Sequence, residues 1–475
     1  MMSAIVLLHR WLGIAFCLLF AMWFATGIVM HFVPFPSLTE AERFAGLAAV
    51  EGAEPRISIA DAVAASGIAD ATRVRLIRRS DGLAYVIAGS SRLRAVRASD
   101  GNDASVASSD VALAIAVDHA RRRGLEAAGA TLLGLVDYDQ WTVPNGFDHH
   151  RPLFRIALAD SAGTEVYVSP HTGEIVLDTT RSERGWNLVG SVLHWIYPTV
   201  LRRNWALWDG AVWTLSLLAL IAAVLGAALG IVRIRMRDGR LATPYHGWHA
   251  LHHVFGLAAT MFVLTWIFSG WLSMDHGRLF SRGQLTGPEA AAANAVPGWT
   301  AASSLDRTPL PPSAREVEWF GFGGKLYRRD RLALDSQALV RTGEASDVGQ
   351  TGFLSAREIQ SLTIRLASDC GVTSLLAGND EYPARSAVPG APVYRSRCGD
   401  LWFDVDGADG HVLQRLDASR RAYRWLYGAL HTLDFPVLMA HPHLRDIVIV
   451  GLSALGLVFS LTGVVIGWRR LRLSL

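Results

Sequence analysis

Four stretches of this chain are almost continuously apolar, and the long segments between them alternate apolar and polar positions as water-facing domains do. The apolar stretches run roughly over residues 5–33, 210–232, 254–272 and 446–468, each reaching the ~20 residues that a bilayer core requires. In the first long segment, residues 57–65 and 111–123 carry a helical period. Residues 73–77 and 84–88 read as strands around the turn Ser80-Asp81-Gly82, and 151–158 with 165–169 as strands around 160–163. The second long segment repeats this sparsely, with a helix over 356–367 and strands over 392–397 and 401–406. Residues 283–312, rich in Ala, Pro, Gly and Thr, read as a flexible connection. Two aromatic-rich segments, 184–196 and 420–433, precede the second and fourth apolar stretches, and each stops near a proline, Pro198 or Pro436. They read as helices lying at the membrane interface, where Trp and Tyr concentrate.

The pattern occurs twice. His9-Arg10-Trp11-Leu12-Gly13 is followed by Thr26-Gly27, and His252-His253-Val254-Phe255-Gly256 by Ser269-Gly270, with the glycines 14 residues apart in both. His194 precedes Asp209, Gly226 and Gly230 by 15, 32 and 36 residues, and His431 precedes Asp446, Gly463 and Gly467 by the same intervals. The predicted fold is therefore an integral membrane α-helical bundle of four transmembrane helices in two parallel repeats, with two α+β domains outside the bundle. Its expected parts are span one over 5–33, a first domain over 34–183, an interfacial helix and connector over 184–208, and span two over 209–232. A basic loop over 233–247 leads to span three over 248–275, a second domain over 276–419, an interfacial helix and connector over 420–442, span four over 443–468 and a tail over 469–475.

Charge sets the expected orientation. The net charge of +3 is too balanced for a nucleic-acid partner. Arg233, Arg235, Arg237 and Arg240 fill the short connection after span two, and Arg469, Arg470 and Arg472 follow span four. The positive-inside rule places both clusters, and with four spans both termini, in the cytoplasm. Span one is longer than a signal h-region, lacks an Ala-x-Ala-like site near Pro34 and matches span three, so it is expected to be retained. Cys17 lies within span one, whereas Cys370 and Cys398 share the second long segment and can pair in an oxidising compartment or remain two buried thiols.

Histidines carry the candidate chemistry. A haem iron takes two neutral imidazoles on a common axis, each held by an acceptor on its other nitrogen. His9 and His252 are repeat equivalents at one end of the spans, and His194 and His431 are equivalents at the other, so each pair is a candidate axial pair. His31 and His276 close spans one and three and are further candidates; His31 stands roughly 33 Å along a helix from His9 and nearly on its face. The competing reading is histidines solvated by headgroups, which suits His246, His249 and His253 best. Tyr138, Asp139 and Trp141, echoed by Asp380 and Tyr382, are either a docking face or a polar loop. The glycines 13, 27, 226, 256, 270 and 463 allow close helix approach or room for a macrocycle. No G-x-G-x-x-G after a strand, P-loop, C-x-x-C, C-x-x-C-H, H-E-x-x-H or G-x-S-x-G occurs. Nicotinamide binding, ATP-driven transport, thioredoxin-like exchange, covalent haem, zinc-peptidase and serine-hydrolase chemistry thus have no signature.

Leu8-His9-Arg10-Trp11-Leu12-Gly13 with Thr26-Gly27 resembles the opening of the PepSY-associated transmembrane family, and Tyr167-Val168-Ser169-Pro170-His171-Thr172-Gly173-Glu174 is similar to another of its segments. Arg424-Trp425-Leu426-Tyr427-Gly428-Ala429-Leu430-His431-Thr432-Leu433-Asp434-Phe435-Pro436 resembles its closing signature. The resemblance covers essentially the whole chain and implies that the two long segments are PepSY-like periplasmic domains. Members include bacterial inner-membrane ferric-siderophore reductases that bind b-type haem, and also many proteins of unknown role. The resemblance implies a transmembrane oxidoreductase with one or two bis-histidine haems b. Its electron donor would be a quinol or a cytoplasmic reductase, and its acceptor a ferric siderophore. The first half departs from the closing signature, with Trp195-Ile196-Tyr197 where the second has Thr432-Leu433-Asp434, so equal roles for the halves do not follow. The competing functions are a non-enzymatic PepSY-type peptide-binding or regulatory membrane protein, and a haem or metal carrier.

The orientation has a direct check. Reporter fusions after Arg237 and Leu475 are expected to report cytoplasm, and fusions near Asp100 and Asp347 the far side. An externally reported C-terminus would reverse the arrangement.

Overall fold

The computed structural model describes residues 2–50, 55–237, 240–305, 309–341 and 352–473; Asp347 and Leu475, two of the fusion points, lie outside them. Among the described residues, four helices are long and apolar enough to cross a membrane: Met2–Phe32, Trp205–Val232, Gly247–Ser273 and Pro442–Arg472. All four expected spans are present, each longer than its apolar core because polar residues extend the ends. Asn204 starts span two by accepting the Leu207 amide at 3.1 Å, and Pro442 starts span four, where a missing N–H costs nothing. Two compact units divide the chain, one of residues 1–35, 183–281 and 419–475, the other of 36–182 and 282–418.

In the helical unit, span one packs on spans two and four, and span three packs on the same two, so spans one and three are diagonal neighbours. Aromatic rings from Phe16, Phe20, Phe24 and Phe262 fill the middle. The segments expected as interfacial helices are helical but wound unevenly. Each contains a π-helical stretch, Leu188–Val192 and Arg424–Ala429, shortly before its histidine. Each then ends two residues past that histidine on a left-handed residue that is not glycine: Ile196 at φ 50° and Leu433 at φ 50°. A β-branched residue rarely adopts that conformation, and π-turns and such strained residues concentrate at functional sites.

The second unit departs from the expected pair of separate domains. Each long segment does contribute a three-stranded and a four-stranded antiparallel meander. However, strand Arg73–Arg79 of the first segment pairs antiparallel with Glu316–Phe322 of the second, Leu76 opposite Val317. The two three-stranded meanders thereby fuse into one six-stranded sheet. Both strands would otherwise be meander edges with unpaired backbone groups, and joining them removes two edges at once. Leu76, Val74, Tyr85, Val317 and Trp319 form the core beneath. The four-stranded sheets, of strands 131–136, 153–157, 165–168 and 175–179 and of 374–375, 393–398, 401–406 and 412–416, remain separate.

Residues 283–312 are not a loose connection where described. Thr286 and Glu289 form a capping box for helix Gly287–Ala293, and Ala302 and Leu305 bury themselves in the core of the six-stranded sheet. The alanines that read as linker are good helix formers once a cap is supplied. Asp139 and Asp380 each organise a loop. The Asp139 carboxylate accepts from the amides of Trp141 and Thr142 and from Tyr167 Oη at 2.6 Å, and Trp141 is buried. Asp380 accepts from the Tyr382 amide and from Arg395. Cys370 and Cys398 are joined as a disulfide, and Cys17 is free.

A buried ion network crosses the fused sheet. Glu316 accepts from Arg43 at 2.8 Å and Arg75 at 3.1 Å, and Arg75 also reaches Glu174 at 2.6 Å. Burial alone would raise the Glu316 carboxyl, but Arg43 and Arg75 outweigh it and hold it well below the ordinary carboxylate range. A depressed folded value means that this contribution is complete above ~4.3 and is lost as pH falls towards the folded value. Glu316→Gln leaves buried guanidinium groups underpaired and is expected to cost about 3–5 kcal/mol. The expected readout is reduced hydrogen-exchange protection of strands Arg73–Arg79 and Glu316–Phe322 at pH 7, with the difference from wild type shrinking in acid.

Candidate functional site

Four imidazoles of the helical unit share one local design: each ring stands over a glycine of a facing helix and commits its Nδ1 to a hydrogen bond there. His9, on span one, donates from Nδ1 to the Ala222 carbonyl of span two at 3.1 Å. One turn further on is Gly226, where an added methyl carbon would stand 2.6 Å from His9 Cε1. His252, on span three, has Nδ1 2.9 Å from Thr462 Oγ1 of span four, beside Gly463, whose added carbon would be 3.4 Å from the ring. Phe459 stacks on the same imidazole, centroids 4.9 Å apart. Glycine at position 226 therefore makes room for a ring from another helix.

His9 and His252 line a common cavity of about 890 Å³ between the four spans, together with Cys17, Gly256 and Phe459, and with Arg10, Arg233 and Arg470 also on its lining. That volume falls within the ~300–1,000 Å³ of ligand and cofactor pockets. Of the neighbouring histidines, His246 and His249 also line it. His253 is not solvated by headgroups: it is buried, with Nδ1 2.9 Å from Thr243 Oγ1 and Nε2 2.9 Å from the Gly230 carbonyl. Both of its nitrogens are engaged, which removes it as a ligand.

At the other end, the π-wound segments bring His194 and His431 together, ring centroids 6.4 Å apart and planes 68° apart. His194 Nδ1 lies 2.9 Å from Thr26 Oγ1 of span one, and His431 Nδ1 3.1 Å from Ser269 Oγ of span three. Their rings rest on Gly27 and Gly270, where an added carbon would be 3.6 and 3.2 Å away. The Trp23 indole donates to the His194 carbonyl at 2.9 Å and fixes that backbone; its counterpart Trp266 has a buried indole nitrogen without a partner among the described residues. Burial pushes His194 and His431, which lie outside the four spans, well below the ordinary histidine range, and each also is neutral at pH 7 for that reason.

His31 and His276 are not brought to either pair. His31 Nε2 bonds Asp446 of span four at 2.7 Å, and His276 Nδ1 bonds Asp209 of span two at 2.6 Å. The two contacts tie span one to span four and the end of span three to span two, so these histidines act as crossed braces. Among the described residues no group of three or more His, Cys, Asp or Glu could hold a metal ion. The paired histidines supply two donors each, which suits a metal whose remaining donors come from a macrocycle. Paired imidazoles are the donor set that an iron porphyrin would take from His9 with His252 and from His194 with His431.

Sequence reasoning found the four histidines and the glycines. It missed Ala222, whose carbonyl is invisible in a side-chain pattern, and Thr462, which has no counterpart in the first half. Gly226 and Gly27 separate tight from roomy contacts. Gly226→Ala is expected to destabilise the bundle by about 1–3 kcal/mol through overpacking against His9. Gly27→Ala should be neutral or stabilising, since alanine gains about 0.5–1 kcal/mol in a helix interior. Thermal unfolding of the detergent-solubilised protein checks the pair, and equal midpoints for the two variants would contradict the assignment.

A family model described as the PepSY-associated TM region matches residues 6–470. No curated protein matches the chain. The match runs from the first span to the last, and the chain belongs to the PepSY-associated TM family.

Proposed function

We propose that the helical unit is a bis-histidine haem b protein, and that the chain is a transmembrane oxidoreductase passing electrons across a bacterial inner membrane to a periplasmic acceptor. The single observation that carries this reading is the fourfold arrangement of imidazole, Nδ1 partner and glycine at two ends of one bundle. His9 and His252 would hold one haem and His194 and His431 a second. The repeated intervals and the matched contacts support two parallel repeats related by an axis along the membrane normal. Haem bound at these positions supplies a reversible one-electron couple. The chain's own residues orient four imidazoles, exclude water with the Phe16, Phe20, Phe24 and Phe262 layer, and keep His194 and His431 neutral.

The proposed donor is a quinol or a cytoplasmic reductase, the termini being cytoplasmic. The proposed acceptor is iron held in a ferric siderophore, whose hard oxygen donors hold ferrous iron less well. A second, non-enzymatic reading is a PepSY-type peptide-binding or regulatory protein. It is favoured by the edge strand Thr131–Val136, which leaves Leu132, Leu133 and Leu135 exposed, as an edge that recruits an extended peptide would. A haem or metal carrier is a third reading that uses the same histidines without turnover.

Protein produced with full haem supply is expected to be red and to carry up to two haems per chain in a pyridine haemochrome assay. His9→Ala and His252→Ala should each remove the same low-spin signal, and His194→Ala and His431→Ala should each remove the other. Colourless protein, or four variants with wild-type spectra, would leave the peptide-binding reading in its place.

A further inference from the structure

The Thr26-Gly27 and Ser269-Gly270 motifs do more than make space. A hydroxyl beside an imidazole nitrogen can either give or take a proton, so a short Nδ1–Oγ distance alone does not fix the tautomer. The protons of these hydroxyls are already committed. Thr26 Oγ1 donates to the Met22 carbonyl at 2.7 Å, one helical turn back. Ser269 Oγ donates to the Trp266 carbonyl at 3.1 Å, and Thr462 Oγ1 to the Phe459 carbonyl at 2.6 Å. Each hydroxyl has one proton, so towards the histidine it is left only with lone pairs. The imidazole must then carry its proton on Nδ1 and present an unprotonated Nε2. For His9 the Ala222 carbonyl, which can only accept, dictates the same tautomer.

The geometry points to Thr26, Ser269 and Thr462 as positioning residues that lock His194, His431 and His252 in the Nδ1–H, metal-ready tautomer, with the backbone of span two doing the same for His9. This rests on the haem reading for its consequence, but not for its test. Thr26, Ser269 and Thr462 are buried, so water does not compete with the imidazoles for their hydroxyl oxygens. Among the described residues none of the four Nε2 atoms has a hydrogen bond. A hydroxyl acceptor also leaves the ring neutral, whereas a carboxylate there would draw it towards imidazolate character and stronger donation to iron.

The test uses the full chain with Thr26→Val, which keeps the shape and deletes the hydroxyl, beside Thr26→Ser, which keeps the hydroxyl. Two readouts are taken. In haem-free protein with ¹⁵N-labelled histidine, wild type and Thr26→Ser are expected to show His194 protonated on Nδ1, and Thr26→Val to show a mixed or Nε2–H ring. In haem-supplied protein, Thr26→Val should bind haem at the His194 site about 10–100-fold more weakly than wild type. The Thr26→Ser variant should bind as wild type does, with an unchanged low-spin spectrum and midpoint potential. Red wild-type protein in which Thr26→Val matches it in tautomer, affinity and potential would overturn the positioning role. Colourless wild type whose His194 tautomer still changes in Thr26→Val would sink the haem reading and leave the positioning role standing.

Discussion

An imidazole needs clearance to enter a helix–helix interface, and each of four rings in the bundle rests on a glycine of a facing helix, with the tightest fit at Gly226. At Gly226 the clearance is so small that any side chain would displace His9. The same helix turn supplies the hydrogen-bond acceptor, Ala222 in one case, and Thr462 directly beside Gly463 in another. Glycine and acceptor therefore work as a unit: the first admits the ring and the second turns it. Packing of span one on span two brings His9 to Gly226, and packing of span three on span four brings His252 to Gly463.

The two ends of the bundle solve the same problem differently. His9 and His252 sit within continuous α-helices and open onto a cavity lined by several arginines. His194 and His431 sit on segments whose π-turns rotate the ring by adding a residue to the turn, and whose left-handed Ile196 and Leu433 stop the helix immediately afterwards. The strain at those two residues is held by the surrounding contacts: Trp208 donates to the Trp195 and Ile196 carbonyls at 3.1 and 3.0 Å, and Arg445 reaches the Leu433 carbonyl at 3.3 Å. A lost contact there would release the histidine's position before it disturbed the spans.

Spans, histidine pairs and small residues were legible in the sequence because each leaves a local mark: twenty apolar residues, a polar side chain amid them, or a missing side chain at a fixed interval. The winding of 188–192 and 424–429 left no such mark, since a π-turn changes the hydrogen-bond ladder and not the composition. The bracing of His31 by Asp446 was hidden for another reason: the partners are 415 residues apart, and nothing near either names the other. Residues 283–312 misled by composition, because Ala, Pro, Gly and Thr describe a linker and a capped short helix equally well. The fused sheet was invisible too. Arg73–Arg79 and Glu316–Phe322 each read as an ordinary strand, and only their meeting reveals that the two halves share one core.

That meeting bears on how the protein is made. Strand Arg73–Arg79 leaves the ribosome long before its partner, and at ~5–20 residues per second the wait is on the order of ten seconds or more. Throughout that interval one half-sheet presents an unpaired edge to every other chain emerging nearby, the situation in which edge-to-edge aggregation begins. Arg73, Arg75 and Arg79 lie on that strand, and until Glu316 and Glu318 arrive at least the first two stand without the carboxylates of their partner strand. Positive charge along a waiting edge repels a second copy of itself. The residues that later neutralise one another in the finished sheet thus guard the unfinished one, so nascent-chain solubility and native packing draw on the same arginines.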